Sequence, residues 1–359
     1  MASSQITSNQ SLRIIDANLN RIGEGLRLLE DTARFLLNNA PLARQLKAMR
    51  HELEVGNLSL KKQLLQARNA EGDVGMKIEV PEQSKERDLP ATVIANTRRA
   101  QQSLRVIEEM AKIPGVNLET EKFKKARFSL YTIERELISR LLRRDKVERI
   151  SGLYAVIDTN FLKGINHTDV ASQLIEGGAR IVQLRDKTTP KNELLPIALE
   201  LKSLCARHNV LFIVNDYLDI ALATDADGLH IGQEDLPLAS ARRLLPMDKI
   251  IGCSITTVDQ AIAAETEGAD YIAVSSIYPT ASKETVEAVG LEGLRLIRGK
   301  ARLPVVAIGG ITRDNVAEVM SAGASSVAVI SALLETRSPG KAARQMVDII
   351  DSQRQRSDG

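Results

Sequence analysis

Apolar positions divide the chain into two regimes. In the first, Leu12, Ile15, Leu19, Ile22, Leu26, Leu29, Ala33 and Leu36 recur at spacings of three and four. That is one apolar seam along a long helix. Pro41 stands near the start of a second helical pattern, with Leu42, Leu46, Met49 and Leu53 on one face. Both patterns return. Ala17–Ala33 aligns with Ala95–Ala111, with Ala, Asn, Arg, Leu, Arg, Glu and Ala at matching offsets. Leu46–Leu53 is echoed by Leu130–Leu137. The pattern predicts an all-α domain built from a duplicated helical hairpin, its seams buried against each other as a bundle.

The charged stretch Arg143–Arg149 reads as a linker, giving a helical domain over 1–148 and a second domain over 149–359. Beyond it, short apolar runs alternate with amphipathic segments. The runs cover 153–158, 181–186, 211–216, 228–232, 250–255, 271–277, 305–310 and 326–331. Helical patterns lie between them, as at Glu193–Arg207 and Val258–Glu267. Eight strands, each followed by a helix, predict a (β/α)8 TIM barrel. A doubly wound open sheet is the alternative, but eight evenly spaced units favour closure.

In such a barrel, chemistry belongs at the C-terminal ends of the strands. The second run delivers Gln183, Arg185 and Lys187 at alternate positions, on one face of a strand. The third ends in Asn215 and Asp216, and the turn after the fourth carries Asp235. The fifth ends at Ser254, and Thr280, Ser282 and Lys283 follow the sixth. The seventh ends in Gly309-Gly310 and the eighth in Ile330-Ser331. Two carboxylates beside a basic rib suit Mg²⁺ and a phosphorylated ligand. The glycine-type loops suit a second phosphate held by backbone N–H groups. Each feature has a plainer reading alone; Asn215-Asp216, for example, could cap the next helix. Their convergence on one barrel mouth points to a transferase that joins two phosphorylated small molecules and releases diphosphate.

Composition narrows the rest. A net charge of +2 over 359 residues gives no general attraction to nucleic acid or to an anionic membrane. Two cysteines, Cys205 and Cys253, indicate a reduced protein rather than a disulfide-built one. The start has neither a basic region nor an apolar core of a signal peptide. A soluble, cytoplasmic enzyme acting on small molecules is expected. The oligomeric state is left open, homo-oligomers included.

The motifs QLRDK, ND, GQED, GCS, YPTASK, GGI and VIS, in this order between Gln183 and Ser331, resemble those of thiamine-phosphate synthase. The resemblance covers the whole barrel. It implies condensation of 4-amino-2-methyl-5-hydroxymethylpyrimidine diphosphate with 4-methyl-5-(2-phosphoethyl)thiazole, giving thiamine phosphate and diphosphate. It implies that Gln183, Arg185, Lys187, Asn215, Ser254 and Lys283 hold the pyrimidine diphosphate, with Arg185, Lys187 and Lys283 catalytic. Asp216 and Asp235 would bind Mg²⁺. Thr280, Ser282, Gly310, Ile330 and Ser331 would hold the thiazole phosphate. Ser282 stands where threonine is usual, and Ser275-Ser276 where Gly-Pro is common. None of these departures removes a charged group. A thiazole tautomerase-like barrel would need neither the carboxylates nor the basic rib, and a sensor of thiamine precursors would bind without turnover.

The first half carries two AN-x-x-R-x-x-x-x-LR-x-x-E-D/E helices and an ARNAEGDVG loop from Ala67 to Gly75. These resemble a helical domain sometimes fused to the synthase, which looks like a hydroxymethylpyrimidine-phosphate kinase. The implied candidates are Asn18, Arg21, Arg27, Arg68, Asp73, Asn96, Arg99 and Arg105, with Asp73 as a metal or base group and ATP as co-substrate. No GxxxxGK-S/T loop occurs, so a nucleotide site here would be unconventional. Phosphoryl transfer needs mainly positioning and charge neutralisation, which Arg and Mg²⁺ can supply. An oligomerisation module is the rival reading, because tandem hairpins would serve it equally well.

Overall fold

The computed structural model describes residues 2–69, 71–73, 88–113, 116, 118–279 and 288–357, with side chains between residues 9 and 356. The chain divides into two compact units, Met1–Leu142 and Arg143–Gly359.

The first unit is helical. It contains α1 (Ala2–Asp31), α2 (Ala40–Glu52), α3 (Leu58–Ala67), α4 (Leu89–Met110) and most of α5 (Thr120–Glu148). Polar side chains start several of these helices. Asn39 Oδ1 accepts from Leu42 N at 3.1 Å and Asp88 Oδ1 from Ala91 N at 2.8 Å, satisfying N–H groups that a helix start leaves unpaired. The predicted seam forms the core: Ile15, Ile22, Leu26 and Leu29 of α1 pack with Leu46, Leu104, Ile107, Phe123 and Leu130. Helices α1 and α4 approach closely at Gly25, where a Cβ would stand 3.1 Å from Ala100 Cβ.

The duplication is marked by two equivalent ion pairs. Arg50 Nε lies 3.0 Å from Glu30, and Arg127 Nε lies 2.6 Å from Glu108. They match Leu46, Met49 and Leu53 with Phe123, Ala126 and Leu130, all buried. That places the second-helix echo two helical turns earlier than Leu130–Leu137. A two-turn slip keeps the apolar seam almost in phase, so periodicity alone does not separate the alignments.

Arg143–Arg149 is not a linker, because α5 continues to Glu148. Its charges are bound within the second unit. Arg143 Nε donates to the buried Asp270 at 2.8 Å and its Nη1 to Met247 O at 2.9 Å. Lys146 Nζ donates to Asp248 O at 2.7 Å. Charge density that reads in sequence as a solvated junction anchors the helix end instead.

The second unit is a closed barrel of eight parallel strands in sequential order. They are β1 (Gly152–Asp158), β2 (Ile181–Arg185), β3 (Leu211–Asn215), β4 (Gly228–Ile231), β5 (Ile250–Ile255), β6 (Tyr271–Ser275), β7 (Val305–Ile308) and β8 (Ser326–Val329). Helices follow in turn: α6 (His167–Glu176), α7 (Lys191–Arg207), α8 (Leu218–Ala223), α9 (Leu238–Leu244), α10 (Val258–Glu267), α11 (Gly290–Lys300), α12 (Val316–Ser321), α13 (Ser331–Leu334) and α14 (Pro339–Ser357). Strands buried on both faces need apolar residues on both, which is why the runs lack polar alternation. Their outward set, including Leu153, Ala155 and Val182, packs under the helices. Their inward set, Tyr154, Val156, Ile181, Leu211, Ile213, Ile250, Tyr271 and Val306, fills the barrel with Ile150.

At one level the filling is tight. A Cβ on Gly252 would lie 2.0 Å from Tyr271 Cζ, so only glycine leaves room for that ring. Gly252→Ala must push Tyr271 out of a close-packed interior. A loss of about 3 kcal/mol is expected, checked by denaturant unfolding of the barrel. Among the described residues, no helix is long and apolar enough to cross a membrane.

Candidate active site

The inward positions change character along each strand. At the N-terminal side they are mostly apolar. The last inward rungs are Asp158, Arg185, Asn215, Gly232, Ser254, Ser275, Gly310 and Ile330; all but Gly232, which follows His230, stand two or four positions after an apolar inward residue. One cavity at the C-terminal mouth is lined by Gln183, Arg185, Lys187, Asn215, Asp216, Asp235, Ser254, Gly310, Ile330 and Ser331. Ten barrel residues singled out from sequence therefore share one cavity. Thr280, Ser282 and Lys283 lie outside the described residues.

The cationic side rests on partners supplied by neighbouring strands. β1 and β2 pair with Asp158 opposite Arg185. The Arg185 guanidinium donates to the Asp158 carboxylate, whose side chain is 1% exposed. This fixes the direction of a group that is otherwise long and mobile. Lys187 Nζ lies 3.4 Å from Asp216 Oδ2. Next to them the turn is tied by Asp186, which accepts from the N–H groups of Thr188 at 2.9 Å and Thr189 at 2.7 Å. Burial alone would raise the Asp186 carboxyl, but bonds from Thr159, Thr189 and Thr188 outweigh it and bring it down to about 2.

Asp216 breaks the strand alternation. It follows the inward Asn215, so a regular strand would turn its side chain away from the cavity. Its φ of +61° is a left-handed conformation that costs a non-glycine residue energy. Its N–H donates to His230 O at 2.8 Å, holding the turn. The turn puts the carboxylate on the cavity wall beside Asp235. Asp235 is oriented by Gly232 N–H, at 2.7 Å from Oδ2. Burial, and then the adjacent Asp235 carboxylate, push Asp216 up to about 6, with Lys187 opposing. Two acids held together against their own repulsion form a ready site for a hard cation. Among the described residues no third acid, histidine or cysteine joins them in a metal-holding group. A two-carboxylate set fits Mg²⁺, which usually keeps waters and takes ligand phosphates rather than a full protein cage.

Ser254 ends a buried polar chain. His230 Nε2 is hydrogen-bonded to Ser254 Oγ at 2.9 Å, and His230 Nδ1 to Tyr271 OH at 3.1 Å. Tyr271 OH is in turn 3.0 Å from Tyr154 OH. Burial raises both phenols well above their ordinary range, so the chain stays uncharged below His230. Sequence reading singled out Ser254 but not His230, Tyr271 or Asp158. The available signal was parity: His230 stands two before Gly232, and Asp158 two after Val156.

On the β7–β8 arc, Gly309 and Gly310 have φ of +104° and +65°. A Cβ on Gly310 would lie 2.7 Å from Tyr278 Cβ and 2.9 Å from Pro279 O. Glycine is thus required both by conformation and by space.

In the helical unit, Asn18 and Asn96 donate to the carbonyls of Ile14 and Thr92, one turn earlier, at 2.8 and 2.9 Å. That bond accounts for asparagine in mid-helix. Arg105 pairs with Glu108 and Glu109 as spaced, whereas Arg27 keeps Asp31 and loses Glu30 to Arg50. Arg21 and Arg99 are exposed. Arg68 grips Asp16 with two bonds, of 2.5 and 3.0 Å. Arg27 and Arg68 share a cleft; Asn96, Arg99 and Arg105 are not part of it. Asp73 is the last described residue of its loop.

Comparison with known proteins agrees with this geometry. The family model for thiamine monophosphate synthase matches residues 153–333, and that of the ThiD2 family matches residues 13–136. The thiamine-phosphate synthase of Nostoc punctiforme is 38% identical over 327 residues, 91% of this chain and 90% of its own. That of Synechocystis sp. is 38% identical over 335 residues, 93% and 95% of the two chains. A solved thiamine phosphate pyrophosphorylase from Pyrococcus furiosus superposes with a TM-score of 0.53 at 38% identity, covering 57% of this chain and 98% of its own. The matches to the Nostoc and Synechocystis synthases run through both units. The chain belongs to the thiamine monophosphate synthase family.

Proposed function

We propose that the two units carry out consecutive steps: the helical unit phosphorylates the hydroxymethylpyrimidine monophosphate, and the barrel joins the resulting diphosphate to the thiazole phosphate. The barrel step makes thiamine phosphate in thiamine biosynthesis. The observation that carries the reading is the cavity at the C-terminal mouth, where Arg185 and Lys187, the amides of Gln183 and Asn215, and the paired acids Asp216 and Asp235 meet.

In the barrel, Gln183 and Asn215 are buried amides, 4% and 8% exposed. Each offers a donor and an acceptor, the equipment needed to fix an aminopyrimidine edge. Arg185 and Lys187 face the position of the diphosphate and stabilise the charge that grows on it as the C–O bond breaks. The electron pair leaves with diphosphate, and the aminopyrimidine delocalises the resulting methylene cation. Asp216 and Asp235 would hold Mg²⁺, which supplies further positive charge to the leaving group. The thiazole nitrogen then donates its lone pair to the methylene. Gly309, Gly310, Ile330 and Ser331 hold its phosphate and so fix the attacking atom, which supplies much of the rate. No side-chain nucleophile is required. By family resemblance Lys283 joins the cationic side, and Thr280 and Ser282 the thiazole side.

Two results test this. With both substrates and Mg²⁺, thiamine phosphate and diphosphate should appear together; a chelator should stop this and added Mg²⁺ restore it. Turnover unaffected by chelation would reject the Mg²⁺ assignment. Gly310→Ala should raise KM for the thiazole phosphate at least about tenfold, the effect of losing roughly 1.4 kcal/mol of binding, while KM for the pyrimidine diphosphate changes little. Equal changes in both would argue against separate phosphate sites.

A further inference from the structure

We propose that the cleft between α1, α2 and α3 of the helical unit binds a small aromatic ring carrying a phosphate. This rests on the reading that the unit acts on the pyrimidine monophosphate, and it locates the site. The cleft has a volume of about 500 Å³, the size of a small-molecule site, which is typically about 300–1,000 Å³. Its floor is apolar, formed by Leu19, Ile22, Leu26 and Leu64. Its rim carries Arg27, Arg50, Lys61 and Arg68 against the carboxylates of Asp16 and Glu54. Arg27, Arg50 and Arg68 are held by Asp31, Glu30 and Asp16. Lys61 has no carboxylate within ion-pair distance among the described residues. An apolar floor with Lys61 on its rim beside three arginines that their carboxylates hold in place suits a flat ring below and an anion at its edge.

Gly23 is an independent sign. It lies in the middle of α1, where glycine weakens a helix. Gly25 has a packing reason, its contact with Ala100; Gly23 has none, since a Cβ there would meet nothing within 4 Å. Gly23 lines the cleft, so its missing side chain keeps the floor open. The break between α2 and α3 has no counterpart in the second hairpin: by the offset that pairs Arg50 with Arg127, α3 corresponds to residues 135–144, where α5 runs on without interruption. The cleft therefore lies where the two hairpins differ.

The test is calorimetric titration of the full-length protein with hydroxymethylpyrimidine monophosphate. Gly23→Phe should lose one bound equivalent relative to the wild type, with helical content, melting temperature and synthase rate retained. Lys61→Glu, on the exposed rim, should weaken the same equivalent at least tenfold and decides the matter if Gly23→Phe fails to fold. Unchanged binding in the folded variants overturns the site. ATP consumption dependent on the monophosphate, measured in parallel, judges the kinase reading separately. Consumption that persists in both variants with unchanged binding overturns the cleft and spares the kinase. A lost equivalent without any ATP consumption supports the cleft and ends the kinase assignment.

Discussion

Asp216→Asn should abolish most turnover and at the same time make the metal-free protein more stable. The two effects have one cause. Asp216 is buried beside Asp235, and this lifts its carboxyl to about 6. An acid whose folded value lies above its unfolded value favours folding only while protonated. Its contribution is therefore fully present below about 4, the unfolded value, and is lost as pH rises through about 6. Above that, the ionised pair opposes folding by about 1–3 kcal/mol, since each tenfold change in proton affinity is worth about 1.4 kcal/mol. Water reaching the open side of the cavity screens the pair and favours the lower end of that range. Asparagine keeps the shape and removes the charge. Melting temperature at pH 8 without divalent ions should rise in the variant, and the difference should vanish by pH 4. Turnover with Mg²⁺ should fall by a factor on the order of 10²–10³, as when a group that stabilises transition-state charge is lost. A variant that is no more stable at pH 8 would mean that the two acids do not strain the fold.

Arg185→Ala should be costly in both respects. It removes a leaving-group cation, for a loss on the order of 10³ in kcat. It also strands Asp158, whose side chain is 1% exposed. Removing one partner of a buried pair costs about 3–5 kcal/mol; Arg185 is itself 24% exposed, which favours the lower end. Arg185→Lys should recover little, because an ammonium lacks the planar fork that spans Asp158 and a phosphate. Asp158→Asn separates the roles: the fold should survive, while kcat falls through a loosely aimed Arg185. If Asp158→Asn keeps full kcat, the aiming role is refuted.

The barrel was legible because its strands are buried on both faces, so each writes a short apolar run, and because the chemistry follows each run at its C-terminal end. Asp158 was harder. Its importance arises from the pairing of β1 with β2, which sets it opposite Arg185, and no local pattern states that register. His230 sits within an apolar run and reads as core until the inward parity is known. In the helical unit the sequence shows the repeated residues but not their bonding partners. Asn18 and Asn96 spend their amides on their own helix. The cleft joins Arg27 and Arg68 with Arg50 and Lys61, which belong to no shared motif and meet only because α3 folds back on α1. The run Arg143–Arg149 shows that charge density does not mark a linker when buried acids such as Asp270 wait for it.

The central claim is that one chain performs two consecutive steps. It is tested most directly by giving the full-length protein the pyrimidine monophosphate, ATP, Mg²⁺ and the thiazole phosphate, and measuring thiamine phosphate and ATP together. The account predicts thiamine phosphate formed without added pyrimidine diphosphate, with one ATP consumed for each molecule made. Thiamine phosphate that appears only when the diphosphate is supplied, with no ATP consumed, would contradict it.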